Sequence, residues 1–176
     1  LTTLSFNVNA TSQTGVGVLT FTGMKVVPTG TTTSSGEITM TAGTVTGVTN
    51  GVTSFGTLST VPGSVTKLAF TVQPSATTTY GSAFAQAPVI RTQDQFGNNS
   101  VNSLPSTLSV TLSLTTGTGA LTGTVSANIG TSGGNGVLTF TGVGVNDIGN
   151  GKQITATGAP LTSAVSSLFD IQPKPI

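Results

Sequence analysis

Gly136-Val137-Leu138-Thr139-Phe140-Thr141-Gly142 repeats, without a change, the earlier stretch Gly17-Val18-Leu19-Thr20-Phe21-Thr22-Gly23. The copies lie 119 residues apart (136 − 17). Downstream of each, Ile38-Thr39-Met40-Thr41 aligns with Ile154-Thr155-Ala156-Thr157 at an offset of 116 (154 − 38), so a three-residue loop difference separates the two copies. Threonine alternating with aliphatic and aromatic residues suits a half-buried pleated strand. Self-similarity at this spacing marks a repeated β unit of roughly a hundred residues. The first copy has little chain ahead of it, so it is expected to be an incomplete unit.

Outward from the second copy, the alternation continues in both directions. Residues 67–73 alternate and stop at Pro74, and residues 89–94 form the next strand. Residues 108–114 alternate strictly, with Leu108, Val110, Leu112 and Leu114 on one face. Residues 121–127, 136–145, 153–157 and 164–171 follow, with Asn150-Gly151 as a hairpin signal and Pro173 as the close. About seven strands in roughly 105 residues, with turns every 8–12 or so, is the signature of an immunoglobulin-like sandwich. Leu68, Phe70, Val110, Leu112, Val137, Phe140, Ile154 and Phe169 are its expected core.

The division is therefore an incomplete β-sandwich unit over residues 1–65, with strands at 4–8, 17–27, 37–48 and 52–58, and a β-sandwich domain with a C-terminal tail over 66–176. Val61-Pro62-Gly63-Ser64 is the joint. The missing strands of the first unit have three sources: a longer tandem-repeat protein of which this is a fragment, a neighbouring subunit, or a small sheet that the segment makes for itself.

Composition agrees with an all-β chain. Charged residues are 5% of the 176, against about 25% in an ordinary globular domain, so Thr and Ser must supply the polar face. Net charge is +1, from Lys25, Lys67, Arg91, Lys152 and Lys174 against Glu37, Asp94, Asp147 and Asp170. These are scattered, and no basic stripe exists to neutralise phosphates, which argues against nucleic acid. No apolar run approaches the length of a membrane-spanning helix. The chain opens on Leu1 rather than Met, as a processed form or a fragment does. Cys is absent, which removes disulfides and thiolate metal sites together. That is compatible with secretion, since a full-sized sandwich core needs no staple. So few charges protect poorly against association, and on an extracellular cell surface association is a purpose.

Five segments stand in order between residues 67 and 173: Lys67-Leu68-Ala69-Phe70-Thr71-Val72-Gln73-Pro74, Asp94-Gln95-Phe96-Gly97-Asn98, Gly136-Val137-Leu138-Thr139-Phe140, Ile154-Thr155-Ala156-Thr157 and Leu168-Phe169-Asp170-Ile171. This stretch resembles the immunoglobulin-like repeats of bacterial and archaeal surface proteins. Residues 1–60 are similar to the end of a cohesin-type sandwich, through Leu4-Ser5-Phe6-Asn7-Val8 and Gly17-Val18-Leu19-Thr20-Phe21. The resemblance implies cell-surface stalks, adhesins and fibres, and it brings no catalytic residues.

The chemistry-bearing residues are few. Asp94-Gln95-Phe96-Gly97-Asn98 holds one carboxylate where calcium usually takes more than one, and its residues are those a tight turn wants. Asp147, beside Asn146 and Asn150, is expected to brace a loop. Without Cys or His, the Ser-His and Cys-His nucleophile systems are excluded. No pair among Glu37, Asp94, Asp147 and Asp170 is marked as convergent, as glycoside hydrolysis requires. Asn9-Ala10-Thr11 and Asn98-Asn99-Ser100 fit the N-glycosylation pattern. Paired threonines such as Thr39/Thr41 and Thr155/Thr157 lack the long flat periodicity of an ice-facing array and read as solvent-facing.

The expected function is structural and not enzymatic, with no cofactor and no metal: a subunit or repeat of an extracellular, pilus-like filament or fibre. Copies would join head-to-tail by strand complementation, with main-chain hydrogen bonds for strength and alternating side chains for register. The self-assembly candidates are Leu1, Leu4, Phe6 and Val8 at one end, and Leu168, Phe169, Ile171 and Ile176 at the other. The alternative is an adhesin or ligand-binding stalk module of a larger surface protein. Sugar platforms use exposed Trp or Tyr, and here there is no Trp and only Tyr80.

Overall fold

The computed structural model describes Gly30, residues 35–39 and residues 49–176. All regular structure among them is β, in several sheets, as a β-sandwich requires. No helix of the described residues is long and apolar enough to cross a membrane.

The longest strand, β11 (Gly149–Gly158), organises the larger unit. Its successive halves pair antiparallel with β13 (Phe169–Gln172) and β12 (Leu161–Val165), and its other edge pairs with β6 (Ser109–Thr116). β8 (Ser126–Asn128) extends the ladder beyond β6, and β4 (Thr77–Thr79) runs parallel to β13. A parallel contact of Thr162 with Lys67 leads from β12 to β3 (Lys67–Val72), then antiparallel to β5 (Val89–Gln93) and β9 (Val137–Thr139). β7 (Leu121–Thr122) and β10 (Gly144–Val145) form a short ladder of their own.

One buried cluster draws on both branches: Leu68 and Ile90 from β3 and β5, Val110 and Leu112 from β6, Ile154 and Ala156 from β11, Phe169 and Ile171 from β13. Alternation along β6 explains the assignment. Val110 and Leu112 are buried while Ser109, Thr111 and Ser113 are exposed, as a period of two demands. Phe84 meets Phe169 edge-on, at 5.0 Å between ring centres and 83° between planes, a favoured aromatic geometry. Phe140 is buried between exposed Thr139 and Thr141, in the expected register. Phe70 is half-buried against the cluster, and Val137, on the last strand of its branch, is also half-buried. Every buried core residue among the described ones lies between Leu68 and Ile171.

Several expected strands are broken, each for a local reason. Asn150-Gly151 is not a hairpin turn. It lies inside β11, where the pairing with β13 slips between Gly149 and Lys152. Gly151 has a φ of 67°, in the left-handed region, and its N–H reaches the Asp170 carboxylate at 2.8 Å. Those are the marks of a β-bulge. The real turn follows at Ala159-Pro160. The span 164–171 divides because Ser166 turns its hydroxyl inward, accepting from Ile154 N–H at 3.1 Å and donating to Ser167 O at 2.8 Å. The spans 121–127 and 136–145 each divide in two, since Leu121 and Val145 pair with one another rather than continuing the main ladders.

Ahead of this unit, β1 (Ser35–Thr39) and β2 (Ser54–Ser59) form a hairpin in which Gly36 faces Leu58 and Thr39 faces Ser54. In the larger unit Lys152 faces Phe169 and Thr155 faces Val165. The first-strand offset is 116 in both pairs (152 − 36, 155 − 39), and the second-strand offset is 111 in both (169 − 58, 165 − 54). In each case a step of three residues on the first strand spans a step of four on its partners, so the one-residue slip recurs as well. The offset of 116 is the one found between Ile38 and Ile154 in the sequence. Burial differs: Ile38 and Leu58 are half-buried, whereas their counterparts Ile154 and Phe169 are buried. The repeated heptapeptide's first copy and the expected strands at 4–8 and 17–27 lie outside the described residues.

Candidate functional site

Among the described residues, the densest polar construction is a clamp where the larger unit grips the chain entering it. Asp94 follows β5 and is 1% exposed. Its Oδ1 accepts from the N–H groups of Phe96 (2.9 Å) and Asn98 (3.0 Å), and its Oδ2 accepts from Gly63 N–H at 2.9 Å. The Asn98 amide donates to both oxygens, at 3.2 and 3.0 Å. Asp94 N–H to Asn98 O and Gly97 N–H to Asp94 O close the turn. The residues 94–98 therefore form the tight turn expected of them, and its carboxylate is saturated by N–H donors. Burial acts to raise the Asp94 pKa, but the hydrogen bonds from the Asn98 side chain and from the Gly63, Asn98 and Phe96 amides prevail, and the net displacement is below the ordinary 3.8.

The same turn reaches both sides of the joint. Asn98 Nδ2 donates to Gly30 O at 2.9 Å, 68 residues away. Ser100 Oγ donates to Gly63 O at 2.6 Å and accepts from Asn102 N–H at 3.1 Å. Thr92 Oγ1, buried, holds Ser100 O at 2.6 Å. Beyond Gly63, Val65 N–H donates to Asn102 O at 2.9 Å and Thr66 N–H to Gln93 O at 2.8 Å, while the Ser64 and Ser103 hydroxyls meet at 3.1 Å. Gly63 is thus held at both its N–H and its C=O, and Val65 packs on the core. Beside the clamp runs an open groove of about 500 Å³, lined by Thr60, Pro62, Thr71, Gln93, Gly97, Asn98 and Asn99. That lining contains no acid, base or nucleophile pair.

This geometry removes Asn98 as a glycosylation site. It is 5% exposed, and the nitrogen that would carry the glycan is spent on three oxygens. The sequon hydroxyl of Ser100 is spent on Gly63. Asn9 lies outside the described residues.

A second cluster surrounds Lys152, a lysine 1% exposed. Its Nζ donates to Thr118 O at 2.6 Å and lies 3.9 Å from Asp147 Oδ2. Thr118 Oγ1 also donates to Asp147, and Asn146 Oδ1 accepts from Ala120 N–H at 2.6 Å. Gly117 leaves the room: a Cβ there would sit 2.7 Å from Lys152 Cγ. Asp147 does brace a loop, and the buried ammonium it braces was not legible, because nothing local in Gly151-Lys152-Gln153 distinguishes it from a solvated strand lysine.

The C-terminal self-assembly candidates separate. Phe169 and Ile171 are each 1% exposed in their own core, where Phe169 packs on Phe84, so they are not free to enter another molecule. Leu168 and Ile176 are exposed. Leu1, Leu4, Phe6 and Val8 lie outside the described residues. Comparison with protein-family models, curated proteins and solved structures gave no match.

Proposed function

We propose that this chain is a structural, non-enzymatic part of an extracellular filament or fibre, built from tandem immunoglobulin-like β-sandwich units and joined between copies by strand complementation. The observation that carries the reading is the shared register of the two hairpins, one-residue slip included. It supports two units of one design in series, held at a fixed joint by Asp94 and Ser100. The pairing orders β4-β13-β11-β6-β8 and β3-β5-β9 support the immunoglobulin-like assignment. Ile38 and Leu58, half-buried where Ile154 and Phe169 are buried, are the positions that an added strand would cover.

With Phe169 and Ile171 committed to their own core, the donor role falls to residues 1–8. Deleting them, followed by sedimentation and negative-stain imaging, tests the reading. Loss of multimers with the β fold intact is expected. An undeleted chain that stays monomeric at high concentration would overturn it.

A further inference from the structure

The offset of 111 that relates β2 to β12 and β13 continues beyond these strands. Pro62, Gly63, Ser64 and Val65 map onto Pro173, Lys174, Pro175 and Ile176 (173 − 62 = 111). We propose that residues 173–176 are a second linker of the same kind, which docks on residues 94–100 of a further β unit like residues 66–176. This inference rests on the tandem-unit reading above.

The clamp's bonds at position 63 are to main-chain groups, and the tail carries the same groups. The Asp94 carboxylate takes a main-chain N–H at position 63, and Ser100 Oγ gives to that residue's carbonyl; Lys174 has both groups. Gly63 is not in the left-handed region, so a lysine can adopt its backbone. Among the described residues Ser64 bonds through its hydroxyl, toward Ser103, and a proline at 175 keeps every main-chain bond described there. Val65 gives its N–H to Asn102 O and packs its side chain on the core; Ile176 has an N–H and a larger apolar side chain. Two prolines in four residues also hold the tail extended before it docks, which lowers the entropy lost on binding.

The test is a tandem chain in which a second copy of residues 66–176 follows Ile176 directly, compared with the unextended chain and with a version carrying a flexible Gly-Ser spacer at the junction. Amide hydrogen exchange at Lys174 and Ile176 is expected to slow by about tenfold or more in the direct fusion, and Asp94→Ala in the appended copy is expected to restore fast exchange at Lys174. An appended copy that is folded, with slow amides at its own Ile154 and Phe169, beside tail amides as fast as in the unextended chain overturns the proposal. So does a copy that folds only behind the spacer, and a copy that folds in neither, since the partner unit would then not exist. The filament reading fails separately: filaments with fast tail amides sink only the docking, and slow tail amides without filaments sink only the filament.

Discussion

Gly63 gives its amide N–H to Asp94 Oδ2 at 2.9 Å across 31 residues of sequence. The bond ties the linker to the first turn after β5, and Ser100 completes the grip from the carbonyl side. Because the contact is charge-assisted, its strength depends on Asp94 being ionised.

That dependence has a sign. The folded carboxyl sits below its ordinary value, so its contribution is present in full above the unfolded pKa, near 3.8, and is lost as pH falls from there through the folded value. Urea midpoints are expected to be flat from pH 7 to about 5 and to fall below about 4. Asp94→Asn should remove that acid step and cost about 1.5–3 kcal/mol at pH 7, the range for hydrogen bonds to a charged group. An unchanged acid limb in the variant would assign the step to another carboxylate.

Phe140→Ala is expected to cost about 3–5 kcal/mol, as the loss of a buried aromatic does. Thr139→Ala, at an exposed neighbour, should stay within about 0.5 kcal/mol. Denaturant unfolding of both variants checks the register of the repeated heptapeptide; equal costs would mean that the alternation is misplaced.

Lys152→Met keeps most of the buried volume but leaves Thr118 O without its donor. Thr118 is itself exposed, so water can reach that carbonyl, and the expected cost is about 0.5–1.5 kcal/mol, the net worth of one hydrogen bond. Asp147 is exposed enough to be resolvated, so it adds little. Faster amide exchange confined to the loops around Thr118 and Asn146 would identify the lysine as their anchor, whereas uniform loosening of β11 would not.

Asn98 is expected to stay free of glycan in folded protein secreted from a glycosylating host, as peptide mass mapping would read. Asn98→Ala should cost about 1.5–3 kcal/mol, since the Asp94 carboxylate loses its side-chain donor. A glycan on Asn98 in natively folded protein would contradict the clamp geometry directly.

Much of the larger unit is legible in its residues. The face of Leu108, Val110, Leu112 and Leu114 and the burial of Phe140 between two threonines rest on a two-residue period, which is local and needs no partner to be read, and the offset of 116 rests on residues repeated along the chain. The turn at Asp94 is legible for the same reason. What the residues alone did not reveal depends on groups far along the chain. Asn150-Gly151 is a bulge rather than a hairpin because β11 continues to pair and Asp170 takes the Gly151 N–H. Phe169 and Ile171 are core rather than donor strand because Phe84 and β11 cover them. Asn98 reads as an exposed sequon until Gly30, 68 residues away, and Asp94 claim its amide. Alternation decides which side of a strand a residue occupies; only the packed chain decides what waits there, because a buried polar atom takes whichever partner the fold delivers to it.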